Sequence, residues 1–339
     1  MHMADALISP AVGGTMWAAS AGLLAWCARK IRQTLDHRLV PMMGVLGAFI
    51  FASQMINFSI PGTGSSGHLG GGLILAILLG PHAAFLVIAS VLTVQALFFA
   101  DGGLLALGCN IWNLGFYPAF IAFPFIYKPL AGANRATPRA WAAAILAAVI
   151  GLQLGAFSVV LETTASGISE LPFGSFVLLM SPVHLAIGIV EGLATATVVA
   201  FVARARPEAV PSPAGSASLK PALIGLGIAA LIVGGAVSWF ASAHPDGLEW
   251  SIAKVSGREE VGGGAALHEK LARVQEKTAF LPDYGFQPAE EPAAEGEPGP
   301  EPWPAVSAGT TVSGVVGGLL VLLVAGAAGL ALRPRRVAS

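Results

Sequence analysis

Charge is scarce in this chain. Only 11% of its 339 residues are Asp, Glu, Lys or Arg, against roughly 25% in an ordinary soluble domain. That scarcity excludes a soluble globular enzyme and a disordered chain. The formal net charge of −1 leaves no basic face for nucleic acid. Cysteine is also rare. Cys27 and Cys109 both sit in apolar runs, so they read as packing residues rather than a disulfide framework. No Gly-x-x-x-x-Gly-Lys-Ser/Thr motif occurs, nor any Gly-Lys dipeptide, so this chain is not an ATPase. A His-Glu-x-x-His zinc motif and a nucleophile elbow are equally missing.

What the chain has is apolar length. Hydrophobic residues make up 55% of it, with 42 glycines and a mean hydropathy of +0.74. The expected class is an all-α polytopic membrane protein: about seven transmembrane helices plus a two-helix accessory module with an external loop. Each span needs ~20 apolar residues. Spans are expected at about 11–28, 39–57, 69–81 and 83–100, then one running to about 127, and at 141–161, 175–203, 221–241 and 310–332. Tight turns fall at Pro81-His82 and Asp101-Gly102-Gly103, and Glu162–Pro172 is expected outside. Residues 243–303 carry 12 acidic and 5 basic side chains. The 13 other basic residues cluster near Arg29–Arg38, Lys128–Arg139, Arg204–Lys220 and Arg333–Arg336. Short basic loops stay in the cytoplasm. An external N-terminus and a cytoplasmic C-terminus in the cell (inner) membrane put every basic cluster inside. No cleavable signal peptide precedes the first span, so Met1 is expected to be the mature N-terminus.

Composition divides the chain into a transmembrane domain over 1–203, a Pro/Ser/Ala-rich cytoplasmic linker over 204–220, and a module over 221–339 with its external loop at 242–309. Within that loop, 266–277 has the pattern of a short amphipathic helix. Residues 288–304 have no periodicity and read as a disordered, solvated stretch.

The chemistry is concentrated at the start of the chain, Met1-His2-Met3. A free α-amine, the next amide nitrogen and the Nδ1 of a histidine at position 2 can close fused chelate rings on one cation. Three nitrogens then lie in a plane that a fourth donor completes. Such a plane suits Ni(II) or Cu(II), whereas Zn(II) favours a tetrahedron. Losing the amide proton requires a strongly polarising metal. Among the seven histidines, His68 is the best fourth donor. It lies in an irregular Gly/Ser loop, Pro61 to Gly72, of a kind tolerated at the membrane only where it is buried in protein or lines a cavity.

Other polar residues have a second reading each. Gln54, Asn57 and Ser66 flank or belong to the loop, and hold its backbone or simply bond helix to helix. Asp5 orients the N-terminal segment or balances its charge. Asn110 and Asn113 share a helical face and read as structural bridges. His184 and Glu191, seven apart, read as an internal network.

MHMADALISP resembles the N-terminal signature of the cobalt and nickel substrate-capture subunits (S components) of group I energy-coupling factor (ECF) transporters, the CbiM/NikM family. Similar to the same family are Gly47–Phe58, Gly62–Gly71 with His68, Asp101–Asn113 and Ser181–Gly192. Pro245-Asp-Gly-Leu-Glu249 and Leu281-Pro-Asp-Tyr284 resemble the accessory NikN or PDGLE-type subunit. The whole therefore looks like a NikMN-like fusion. The resemblance implies a metal held by the Met1 amine, the His2 amide and ring nitrogens and the His68 ring. Two positions depart from the pattern, Met3 for Ile and Ala6 for Gly, and neither is a donor. It also implies a non-enzymatic transporter subunit without a resident cofactor, carrying Ni(II) or Co(II) as substrate. Its partners would be a transmembrane coupling subunit (NikQ/CbiQ-like) and two ATPase subunits (NikO/CbiO-like). The loop resembles the nickel-type or mixed subgroup more than the cobalt type. Co(II) uptake by the same route and ATP-independent secondary transport remain the alternatives.

Overall fold

The structure is a computed structural model and describes residues 2–34, 36, 39–169, 171–205, 220–257, 266–286 and 303–332. It is helical nearly throughout. Six helices among the described residues are long and apolar enough to cross a membrane. They are α1 (Pro10–Thr34), α4 (Pro81–Phe98), the continuous helix Leu107–Ala131, α7 (Pro138–Ser166), α8 (Phe173–Ala205) and α12 (Ala308–Leu332). Two shorter apolar helices, α2 (Val40–Gln54) and α9 (Lys220–Gly235), complete the bundle. Large apolar side chains point outward along these helices, with Phe125 72% and Leu178 73% exposed. A surface of that kind suits hydrocarbon rather than water, and the chain is a multi-pass membrane protein.

Within Leu107–Ala131, α5 (Leu107–Ile111) passes into a π-helix over Trp112–Tyr127 that holds Pro118 and Pro124, and closes as α6 (Lys128–Ala131). α7 and α8 pack along each other. On the other side, α9 and α12 of the second module embrace α2. The two modules therefore share one bundle.

The expected third span is shorter than the sequence suggests. Only Gly72–Leu79 is helical there, as α3. At 1.5 Å per residue it reaches about 12 Å, far less than the ~30 Å hydrocarbon thickness. The preceding stretch forms a two-stranded antiparallel hairpin, β1 (Phe58–Ile60) with β2 (Ser65–Gly67), pairing Phe58 with Gly67. Its second strand is fully buried. Irregular backbone at such depth survives because protein, not lipid, surrounds it. The turn that follows belongs to Gly80, at φ +81°, and Pro81 opens α4.

Glu162 also departs from expectation. It lies within α7, not in an external loop. It is buried, and it accepts a hydrogen bond from Asn113 Nδ2 at 2.8 Å. Helix α7 runs on to Ser166, and Asn113 on the Leu107–Ala131 helix gives one carboxylate oxygen its hydrogen bond. The second module's loop contributes two more helices, α10 (Gly247–Ser256) and α11 (Ala266–Thr278). The latter covers the expected amphipathic segment. Residues 206–219 of the linker and 288–302 of the expected disordered stretch lie outside the described residues.

Candidate metal site

The N-terminal segment is gripped by its backbone. Asn110 Oδ1 accepts from Met3 N at 2.8 Å, and Asn110 Nδ2 donates to Met3 O at 3.2 Å. Gly103 N donates to the same Met3 carbonyl at 2.9 Å. Met3 itself is fully buried, with its sulfur 3.9 Å from Asn113 Nδ2. Asp5 Oδ1 accepts from Ala106 N at 2.9 Å. Burial raises the Asp5 carboxyl above its usual range, against the lowering by that amide. A Cβ on Gly103 would stand 1.9 Å from Asp5 Oδ1, so only glycine lets the two segments approach this closely. Asp5 thus orients the N-terminal segment.

His2 is thereby delivered to the hairpin. Its ring stacks on that of His68, with centroids 4.9 Å apart and planes 9° from parallel. The His2 side chain is 8% exposed, its Nδ1 lies 2.9 Å from Asp101 Oδ1, and its Nε2 is buried with no hydrogen-bond partner. The nitrogen expected to hold the metal therefore faces a carboxylate here. Met1, the expected amine donor, lies outside the described residues.

His68 is oriented by its own loop. Its Nδ1 is 3.1 Å from Leu69 O, and its Nε2 is 4.0 Å from Asp246 Oδ2. Burial lowers its pKa to about 3, so the ring is neutral. Glu191 of α8 accepts from the amides of Gly70 at 2.8 Å and Gly71 at 3.1 Å, fixing the backbone just beyond. Gln54 Nε2 donates to Gly70 O at 2.8 Å. His184 does not bond Glu191. Its Nδ1 turns back to Met180 O at 2.8 Å. The expected His184–Glu191 network is two separate supports.

Ser66 and Asn57 face the second module. Ser66 N donates to Pro245 O at 2.8 Å and its Oγ to His244 O at 2.7 Å. Asn57 O accepts from Ser242 N at 2.7 Å. Gln54 Oε1 and Asn57 Oδ1 are buried without partners and border a cavity of about 710 Å³. His2 and His68 line it too, and exposed Glu249 and Glu269 lie along it.

Three residues at the site escaped sequence reasoning. Asp101 meets His2, and Tyr284 of the second module donates its hydroxyl to Asp101 Oδ2. Burial pushes the Asp101 carboxyl up, but the His2 imidazole and the Tyr284 hydroxyl outweigh it and hold the pKa at about 2. Asp246, opposite His68, is the third. Each stands in a quoted motif, Asp101-Gly-Gly, Pro245-Asp-Gly-Leu-Glu249 or Leu281-Pro-Asp-Tyr284. A short motif joining one acid or phenol to turn-forming residues was the available signal.

Comparison with known proteins identifies the family. Residues 2–209 match the family described as CbiM, cobalt uptake substrate-specific transmembrane region, and residues 220–334 match the PDGLE domain. A protein of Archaeoglobus fulgidus assigned as a fused nickel transport protein NikMN is 35% identical, over 95% of this chain and 96% of its own. The fused nickel transport protein NikMN of Rhodobacter capsulatus is 31% identical, over 84% of this chain and 88% of its own. A crystal structure of a truncated transition metal transporter superposes with a TM-score of 0.54 at 28% identity. It covers 60% of this chain and 99% of its own. The relatives are metal transport proteins, and this chain is a transporter component rather than an enzyme. It belongs to the CbiM family of cobalt and nickel transport proteins, carried on in the same polypeptide by a PDGLE domain.

Proposed function

We propose that this chain captures Ni(II) at the outer membrane face and delivers it to an ATP-driven ECF uptake transporter. The Met1 amine, the His2 amide and Nδ1, and the His68 Nε2 form a square-planar set around the ion. The observation that carries this reading is the stacked His2–His68 pair. Two imidazoles 66 positions apart in sequence are brought face to face, buried, beside a cavity. Buried polar atoms are normally satisfied, so the partnerless His2 Nε2 marks a site built for something more. On chelation a half-turn of the His2 ring frees Nδ1 for the metal and brings Nε2–H toward Asp101, which then fixes the ring from behind. Backbone-amide ligation selects metals that favour a plane. Nickel is the ion in the names of both fused relatives. The family's description names cobalt, and low-spin Co(II) also fits a plane of four nitrogens.

Among the described residues, ionisable groups within the spans serve the loop and the helix contacts, not a continuous relay through the bundle. This favours a partner-driven subunit over a secondary transporter. A coupling subunit and two ATPases supply the work, with the N-terminus outside and the C-terminus in the cytoplasm. Reconstituted vesicles test this. With coupling subunit, ATPases and ATP, they accumulate Ni(II), and His68→Ala loses the accumulation by at least tenfold. Uptake by this chain alone, or undiminished uptake by His68→Ala, contradicts the reading.

A further inference from the structure

We infer that Tyr284 of the second module is a positioning residue of the metal site: through its hydroxyl on Asp101 it fixes the His2 ring, and so governs how long a captured divalent cation is held. This rests on the chelate reading above and carries it into the second module.

Three groups are linked in series. Tyr284 donates its hydroxyl to Asp101 Oδ2, and Asp101 Oδ1 lies 2.9 Å from His2 Nδ1. The chemistry of the carboxylate assigns the protons along the series. An ionised carboxylate only accepts, so the single phenol proton goes to Asp101. Gln95 Nε2 completes the phenol by donating to its oxygen at 3.2 Å. By the same rule the His2 nitrogen that faces Asp101 carries a proton, and in the neutral ring the other nitrogen is bare. The carboxylate thus decides which nitrogen of His2 is left for a cation, and the phenol holds the carboxylate.

The phenol is itself held by packing and backbone. Its ring stacks on Phe99, with centroids 5.1 Å apart and planes at 19°, and meets Phe51 edge-on at 6.0 Å. Asp283 N donates to Phe99 O at 2.9 Å, and Leu281 N to Phe98 O at 3.3 Å. Gln275 Nε2 of α11 donates to Ala96 O at 2.8 Å and to Gly102 O at 2.7 Å. Donors of the second module therefore grip the chain on both sides of Asp101. The backbone is strained at this junction. Ala100 (φ 55°), Asp283 (φ 50°) and Tyr284 (φ 59°) are the only residues other than glycine at positive φ among the described residues. Each is Tyr284 itself or a sequence neighbour of Asp101 or Tyr284. Such conformations persist where the surroundings over-determine them, and they cluster at functional sites. A hydroxyl that merely joined the modules could end on any carbonyl; this one ends on the carboxylate that faces His2.

Tyr284→Phe removes the hydroxyl and keeps the ring against Phe99. Partners that orient a metal-binding histidine are worth about 10–100-fold in metal affinity. In the full chain with an unextended N-terminus, loaded with Ni(II) and mixed with excess chelator, Tyr284→Phe should release the metal at least tenfold faster than wild type. Asp101→Ala should release it at least as fast. The double variant should be no faster than Asp101→Ala alone, because the phenol acts only through the carboxylate. Release at the wild-type rate by Tyr284→Phe overturns the inference, as does an equal acceleration by Tyr284→Phe in the Asp101→Ala background. Should Asp101→Ala fail to fold, the ring-nitrogen NMR signals of His2 in the metal-free protein decide. Tyr284→Phe should shift them, and unchanged signals overturn the inference. Wild-type protein that binds Ni(II) without a planar-nickel spectrum contradicts the chelate itself, and is thereby distinguished from failure of this inference alone.

Discussion

At the scale of residues, burial withholds water and protons from the His68 imidazole. Burial holds His68 at a pKa of about 3, against 6.5 for an unhindered histidine. The unfolded chain therefore takes up a proton on His68 as pH falls from 6.5 toward 3, and the folded chain does not. Stability falls through that window, because the unfolded state binds more protons. Asp101 behaves differently. Its carboxyl is held at about 2, below the usual 3.8, so its contribution persists until far more acidic conditions. Melting curves of the metal-free protein between pH 7 and 4 check the first effect. The His68→Gln variant should lose less stability over that range than wild type, and equal losses would contradict the burial argument. Under the proposed capture, protons compete with a cation for His68 only near the acid end of the window.

At the scale of elements, the short helix α3 and the hairpin before it are what make a buried loop possible. A full-length third helix would occupy the space where His68 lies. The loop is secured from α8, where Glu191 takes the amides of Gly70 and Gly71. Removing that carboxylate strands two buried N–H groups at about 1–3 kcal/mol each. Glu191→Ala should therefore lower the melting temperature by several degrees and weaken Ni(II) binding. Glu191→Gln, which retains one carbonyl acceptor, should fall between. A Glu191→Ala protein that melts like wild type would contradict this support. The helices themselves were legible because twenty-residue apolar runs bounded by basic clusters have few other readings. The third span misled because a Gly/Leu/Ile run of that length reads alike as half a helix and as a whole one. Glu162 misled for a related reason. An acid at the end of an apolar run marks a boundary only when no partner such as Asn113 waits for it inside.

At the scale of the whole molecule, the two modules close around one cavity. The second module reaches the site through Asp246, Tyr284 and His268, whose Nε2 lies 2.9 Å from Ile8 O in the N-terminal segment. His2 and His68 were legible from the terminal signature and the glycine-flanked loop. The contacts between modules were not, because they join residues about 180 positions apart, such as Ser66 and His244, and no local pattern encodes such a pairing. Fusion in one polypeptide keeps those contacts at high effective concentration. The account stands or falls on whether the chain's own beginning binds the metal. The direct measurement is the absorption and magnetism of purified protein loaded with Ni(II), with its N-terminus either free or lengthened by one residue. The account predicts a yellow, diamagnetic centre in the free form and its loss in the lengthened form, where the amine has become an amide. An identical nickel spectrum in both would contradict it.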